Sequence, residues 1–181
     1  MRFVRNSGFR WLFSVGAIGT SGADFTIPKC FTITFCMAKP SNSLTIIGCG
    51  KAKIWSRHRR AGRIKAQDAY VGPLFKLARR FAQNGGRNWL ILSAKYGLVL
   101  PDQLISDYDV TVGSPGAITT QRLLRQWQQL HPKPTVAICL ASRRYVCLLR
   151  DSVPKGVAIR APLDGMNLFK RMRWLKRHSE R

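Results

Sequence analysis

Acid is what this chain most lacks. Eight Asp and Glu stand against 31 Lys and Arg in 181 residues, a formal net charge of +23, and Glu180 is the only glutamate. A protein this short of carboxylates has few groups for acid–base work, and Asp107 and Asp109 are the only close pair. Such a balance attracts polyanions, because positive charge raises both encounter rate and non-specific affinity for phosphate backbones. A genome that writes arginine freely produces the same total, so position along the chain carries more weight than the sum.

Metal-binding patterns are missing as well. The five cysteines (Cys30, Cys36, Cys49, Cys139, Cys147) form no CxxC pair and have no histidine at ligand spacing, which excludes a zinc site of the usual kind. No metal is expected. Cys139 and Cys147 sit in apolar patterns, the habit of reduced, buried thiols in a cytoplasmic protein. Neither a P-loop nor a dinucleotide fingerprint occurs, so neither ATP nor NAD is expected and no cofactor is assigned. No apolar run is long enough to span a membrane, and no membrane partner is expected.

What the chain does have is a globular composition, 45% hydrophobic, over the length of one ordinary domain. Residues 1–43 read as an upstream leader, either disordered or lying ahead of a true start at Met37. Arg2, Arg5 and Arg10 before Trp11–Ile18 give a secretory signal as the rival reading. Residues 44–178 read as a single α/β domain.

Within that domain short apolar runs alternate with helical patterns. Strands are expected at Leu44–Gly48, Trp89–Ser93, Thr135–Leu140 and Gly156–Arg160. Between them fall a helix opening at Gly72-Pro73 with Leu74, Leu77, Ala78 and Phe81 on one face, a second near Ala117–Leu130, and a shorter one over Ser142–Leu149. A last helix over Gly165–Arg177 is expected to put Met166, Phe169, Met172 or Arg173, and Leu175 to one side. The order predicts a three-layer α/β sandwich around a four-stranded, mostly parallel sheet.

Loop lengths point to the functional edge. Connections into the later strands are short, whereas Cys49–Val71 and Ala94–Gly116 each run to about twenty residues, well beyond the usual loop between a strand and its helix. Both leave the carboxyl ends of strands, where open α/β sheets bind ligands. The first loop holds Lys51, Lys53, Arg57, Arg59, Arg60, Arg63 and Lys65, a natural bed for phosphate. The second strand runs into Ser93-Ala94-Lys95-Tyr96-Gly97, then Asp107-Tyr108-Asp109. Lys51, Lys53, Lys95, Arg57, Arg59, Arg60 and Arg143 are the candidates for phosphate. Tyr70, Tyr96 and Ser93 are the candidates for stacking on a base or lining its pocket, and Asp109 and Asp107 for chemistry. His131 and His178 fall away from this edge and only His58 is placed for acid–base work, which argues against a Ser-His-Asp triad.

The segment Ile91-Leu92-Ser93-Ala94-Lys95-Tyr96-Gly97-Leu98, with Pro101-Asp102, Ile105 and Tyr108-Asp109, resembles bacterial and phage domains of uncharacterised function grouped as DUF6884. Cys49-Gly50-Lys51-Ala52-Lys53, Asp68 to Phe75 and Pro162-Leu163-Asp164-Gly165 look like its other landmarks, and the resemblance spans about Leu44 to Leu175. More distantly, Ser93, Tyr96, Gly97, Leu98, Pro101, Ile105 and Tyr108 are similar to the pattern of the peroxide-stress YaaA family. That likeness implies a role in stress protection through DNA binding. Asp102 falls one place earlier than the aspartate of that family, and Asp109 stands where it has arginine. Two functions are therefore expected as alternatives. One is a nucleic-acid- or nucleotide-binding protein that acts, with hydrolase or glycosylase chemistry, on a nucleobase or its glycosidic bond. The other is a non-catalytic DNA-binding stress protein.

Overall fold

A computed structural model describes residues 42–84 and 88–179. In chain order the elements are β1 (Ser43–Gly48), a 3-10 turn (Ile54–Ser56), β2 (Ile64–Lys65), α1 (Ala66–Ala69), α2 (Pro73–Asn84), β3 (Asn88–Ser93), β4 (Gly97–Val99), β5 (Leu104–Ile105), α3 (Thr120–Gln128), β6 (Val136–Leu140), α4 (Arg143–Ser152), β7 (Ala158–Arg160) and α5 (Leu168–Ser179). The leader expected over 1–43 lies outside the described residues except for Asn42 and Ser43, and Ser43 already belongs to β1.

The main sheet has the order β4-β3-β1-β6-β7. β1 lies at its centre, parallel to β3 on one side and to β6 on the other, and β7 extends the parallel array. Alternation along the strands divides the core into two halves. Ile47, Ile91 and Leu140 face the side covered by α2 and α5, while Leu44, Ile46, Leu90, Leu92 and Cys139 face α3 and α4. The result is a three-layer sandwich with a mostly parallel sheet, as expected.

The sheet has five strands rather than four. Gly97 takes φ +77°, which reverses the chain after Ser93 and lays Gly97–Val99 back antiparallel along β3, with Leu92 opposite Leu98. Three residues after a tight turn carry no period of their own. A separate two-stranded ribbon, β2 with β5, pairs Ile64 with Ile105 and joins the two long loops. Around it Ala66 N–H donates to Gln103 O at 2.8 Å and Gln67 N–H to Pro101 O at 2.9 Å. Lys65 and Gln67 both reach the Asp102 carboxylate.

Two helical faces also differ from expectation. α2 buries Phe75, Ala78 and Ala82, and Leu74, Leu77 and Phe81 are half-buried. The helix packs against the sheet and against α5 at once, so its apolar surface is wider than one stripe. α5 starts at Leu168 and buries Leu175, with Trp174 against Phe81 at 5.5 Å between ring centroids. Phe169 is 78% exposed and is not part of the core. No helix among the described residues is long and apolar enough to cross a membrane.

Candidate functional site

The geometry of a site follows from the strand order. The chain leaves β1 for β3 in one direction and leaves β6 for β7 in the other, so a crevice opens beyond the carboxyl ends of β1 and β6. Gly48 ends β1 there. A Cβ on Gly48 would stand 2.7 Å from that of Ala141, so only glycine lets the two strand ends approach this closely.

Two clefts meet at Cys49-Gly50-Lys51, Ser142 and Tyr145. One, of about 250 Å³, is bounded by Lys53, Tyr108, Asp109, Val110 and Arg144. The other, of about 300 Å³, runs towards α2 and α5 and is bounded by Phe75, Leu140, Leu168 and Arg171. A larger, flatter concavity of about 680 Å³ lies on the outer side of α4, between Arg143, Arg144, Cys147 and Asp151. A further hollow of about 280 Å³ sits at the opposite edge of the sheet, against His131 and Pro132. Its lining holds no lysine or arginine.

Beneath the first cleft lies a closed set of hydroxyls. Ser93, fully buried at the end of β3, donates to the Tyr108 hydroxyl at 2.9 Å and accepts from the backbone N–H groups of Lys95 and Tyr96. Tyr108 in turn lies 2.8 Å from the hydroxyl of Tyr70. On the far side of Gly48, Cys49 Sγ is 3.0 Å from the hydroxyl of Tyr145. Burial, and then the neighbouring Cys49, push the Tyr70 phenol up to about 12. Burial first and Cys49 second also raise Tyr108 and Tyr145 far above the ordinary tyrosine range. All three phenols therefore stay protonated at neutral pH and act as neutral hydrogen-bonding groups.

Cations cover this floor. Lys53 Nζ sits 4.5 Å from the centroid of the Tyr108 ring, and Lys95 Nζ lies 5.3 Å from Tyr96 and 5.9 Å from Tyr108. Tyr96 packs edge-on against Tyr108 at 5.4 Å, and its hydroxyl donates to Ser106 O. Gln126 of α3 braces the same turn, accepting from Leu98 N–H and donating to Tyr96 O, each at 2.9 Å.

The sequence candidates divide on this geometry. Lys51, Lys53 and Asp109 share the first cleft. The Asp109 side chain is exposed and makes no hydrogen bond or ion pair among the described residues, whereas the Asp107 carboxylate accepts from Tyr108 N–H at 2.8 Å. Asp107 fixes the loop and Asp109 is left to face the cleft. Tyr70, 2% exposed, lies under the surface and cannot offer a stacking face, and Ser93 is a buried anchor rather than a pocket wall. Arg57, Arg59 and Arg60 ride on an exposed loop closed by Trp55, whose indole N–H donates to Ala61 O and Gly62 O. They line neither cleft. Arg143 faces outward from α4, and its neighbour Arg144 enters the first cleft instead.

Tyr108, Arg144, Tyr145, Cys49 and Arg171 were not among the candidates. Tyr108 stands between the two aspartates, and Arg144 and Tyr145 follow the third parallel strand on the functional edge. Those positions were the available signal. Arg171 had none, since α5 reaches the cleft only through the packing of the last helix on α2.

Residues 44–177 match the model of a family of unknown function, DUF6884. An uncharacterized protein of Bacillus subtilis (strain 168), YfjM, is 44% identical to this chain over 89 residues, which is 48% of this chain and 59% of that curated relative. The stretch matched by the family model runs from β1 into α5 and takes in both clefts, so the chain belongs to the DUF6884 family.

Proposed function

We propose that the crevice between β1 and β6 holds the phosphates of a nucleotide or of a nucleic-acid strand, and that Asp109 acts on the attached base at its glycosidic bond. One observation carries this reading: a carboxylate with no partner among the described residues faces a cleft that also holds Lys51, Lys53 and Arg144. Asp151 also has no partner among the described residues, but of the two only Asp109 lines the cleft with Lys51 and Lys53. The lysines and Arg144 supply charge for phosphate, and the exposed start of α4 at Ser142 adds free backbone N–H groups beside them. Asp109 then takes a proton from the water whose oxygen bonds to the sugar carbon, or stabilises the cationic sugar before that attack, while the base leaves with the electron pair of the glycosidic bond and is protonated from solvent.

The test incubates the full chain and Asp109→Asn with single-stranded DNA, duplex DNA and RNA, and follows released bases by mass spectrometry. Release by the wild type should fall by roughly a hundredfold or more in the variant while affinity is kept, the loss expected for a general base. Failure to release any base, with retention that weakens steeply as salt rises, would replace this reading with a non-catalytic, YaaA-like DNA-binding protein. The exposed Arg57, Arg59 and Arg60 favour that second reading, since their charge lies outside both clefts.

A further inference from the structure

We infer that α5 extends the crevice into a track for a single strand of nucleic acid, with Arg171 taking a phosphate at the cleft and Phe169 stacking on an unpaired base. The inference rests on the proposed nucleic-acid reading and deepens it. Three independent features of α5 support it.

The first is Arg171. It lines the second cleft together with Lys51 and Ser142, yet its Nε is buried and has no hydrogen-bond partner among the described residues. That Nε is closed to the cleft as well as to water, but the terminal nitrogens of the same guanidinium have no partner among the described residues, and a phosphate oxygen in the cleft would supply their acceptor. The second is Phe169, 78% exposed at the start of the helix, beside Leu168, which is 53% exposed and also lines the cleft. An aromatic ring held out in water next to a phosphate site is the arrangement with which proteins stack the bases of single strands.

The third is charge. Phe169, Arg173 and Lys176 follow at i, i+4 and i+7, so they form one exposed stripe, and Lys170 and Arg177 lie beside it. α5 contains no acidic residue. Arg171 and Phe169, two residues apart, lie on nearly opposite sides of the helix with the cleft-lining Leu168 between them, so a strand whose phosphate sits on Arg171 would cross Leu168 at the start of α5, reach Phe169 and continue along the lysines and arginines. A duplex keeps its bases stacked on one another and has no face to give Phe169. The track therefore prefers single strands.

The experiment measures binding of the full chain to fluorescent oligo(dT), oligo(rU) and a duplex of equal length by anisotropy, using wild type, Phe169→Ala, Phe169→Trp, Arg171→Gln and Lys51→Ala/Lys53→Ala. Phe169 is solvent-exposed, so its replacement leaves the core intact. Phe169→Ala should weaken binding of the single strands by roughly tenfold and leave the duplex within about twofold, and Phe169→Trp should restore the wild-type value. Arg171→Gln should weaken the single strands and reduce the salt dependence by about one phosphate contact. Equal affinity of wild type and Phe169→Ala for the single strands, or an equal loss on the duplex, would overturn the track. Loss in the lysine pair alone would then leave the crevice reading standing, whereas no loss in any variant would overturn both. A preference for oligo(rU) over oligo(dT), or the reverse, identifies the strand that the track accepts.

Discussion

Raised from about pH 9 to about pH 12, the domain should lose roughly 2 kcal/mol of stability through Tyr70 alone. The phenol ionises at 10.0 when unperturbed and at about 12 in the fold. Between those values the folded chain keeps a proton that the unfolded chain has already released. Folding then binds more protons than unfolding, so stability falls as pH rises. The contribution is fully present below about pH 10 and is gone once pH has passed through the folded value. Tyr108 and Tyr145 are shifted in the same direction and steepen the fall. Lysines lose charge over the same range, which relieves repulsion and works the other way. Tyr70→Phe isolates the tyrosine contribution, and its alkaline loss should be smaller than that of the wild type. Phenolate absorbance should appear together with loss of circular dichroism, because three of the four tyrosines ionise only as the fold opens. Phenolate formation by more than one tyrosine near pH 10 in a protein that keeps its dichroism would contradict the buried hydroxyl set.

How much of this was legible depended on whether a feature is written locally. β1, β3 and β6 are mostly buried strands, and their nearly continuous apolar runs read directly as parallel strands. The two long loops could be read as leaving the carboxyl edge of the sheet, where the two clefts lie, because loop length is a property of the chain itself. The ribbon of Ile64 with Ile105 was not legible, since its partners are far apart in sequence and each strand is only two residues long. Nor could adjacent residues of one type be told apart. Asp107 and Asp109 are equivalent as letters, yet one closes a hydrogen bond to its own loop and the other faces the cleft. The basic loop divides in the same way: Lys51 and Lys53 enter the cleft because backbone pairing of Lys53 with Tyr70 holds that end down, while Arg57 to Arg60 project beyond the Trp55 anchor. Phe169 fitted the helical period of a core residue but not the direction in which α5 docks on α2. Periodicity gives a face, and only the tertiary contact says which face is covered.

Gly97→Ala is expected to cost about 3 kcal/mol or more. At φ +77° an L side chain carries a backbone penalty of roughly 1–2 kcal/mol. The new Cβ would also collide with the Gln126 side-chain oxygen and stand 3.0 Å from Ile118 Cδ1, and forced repacking of this kind costs about 1–3 kcal/mol. Gln126 could escape only by giving up its bonds to Leu98 N–H and Tyr96 O, which hold the turn between β3 and β4. Gly113→Ala is the matched control. It too has positive φ, +90°, but nothing lies within 4 Å of the added methyl, so backbone strain alone should cost it roughly 1–2 kcal/mol. Urea unfolding of both variants reads the difference as midpoint shifts at unchanged slope. Equal losses would mean that Gln126 swings aside freely and does not brace the turn. A larger loss in Gly97→Ala would show that the position of Lys95 and Tyr96 over the hydroxyl floor is set from α3, on the opposite face of the sheet from α2. Binding should then weaken in Gly97→Ala even under conditions where the variant is fully folded, and it should be unchanged in Gly113→Ala.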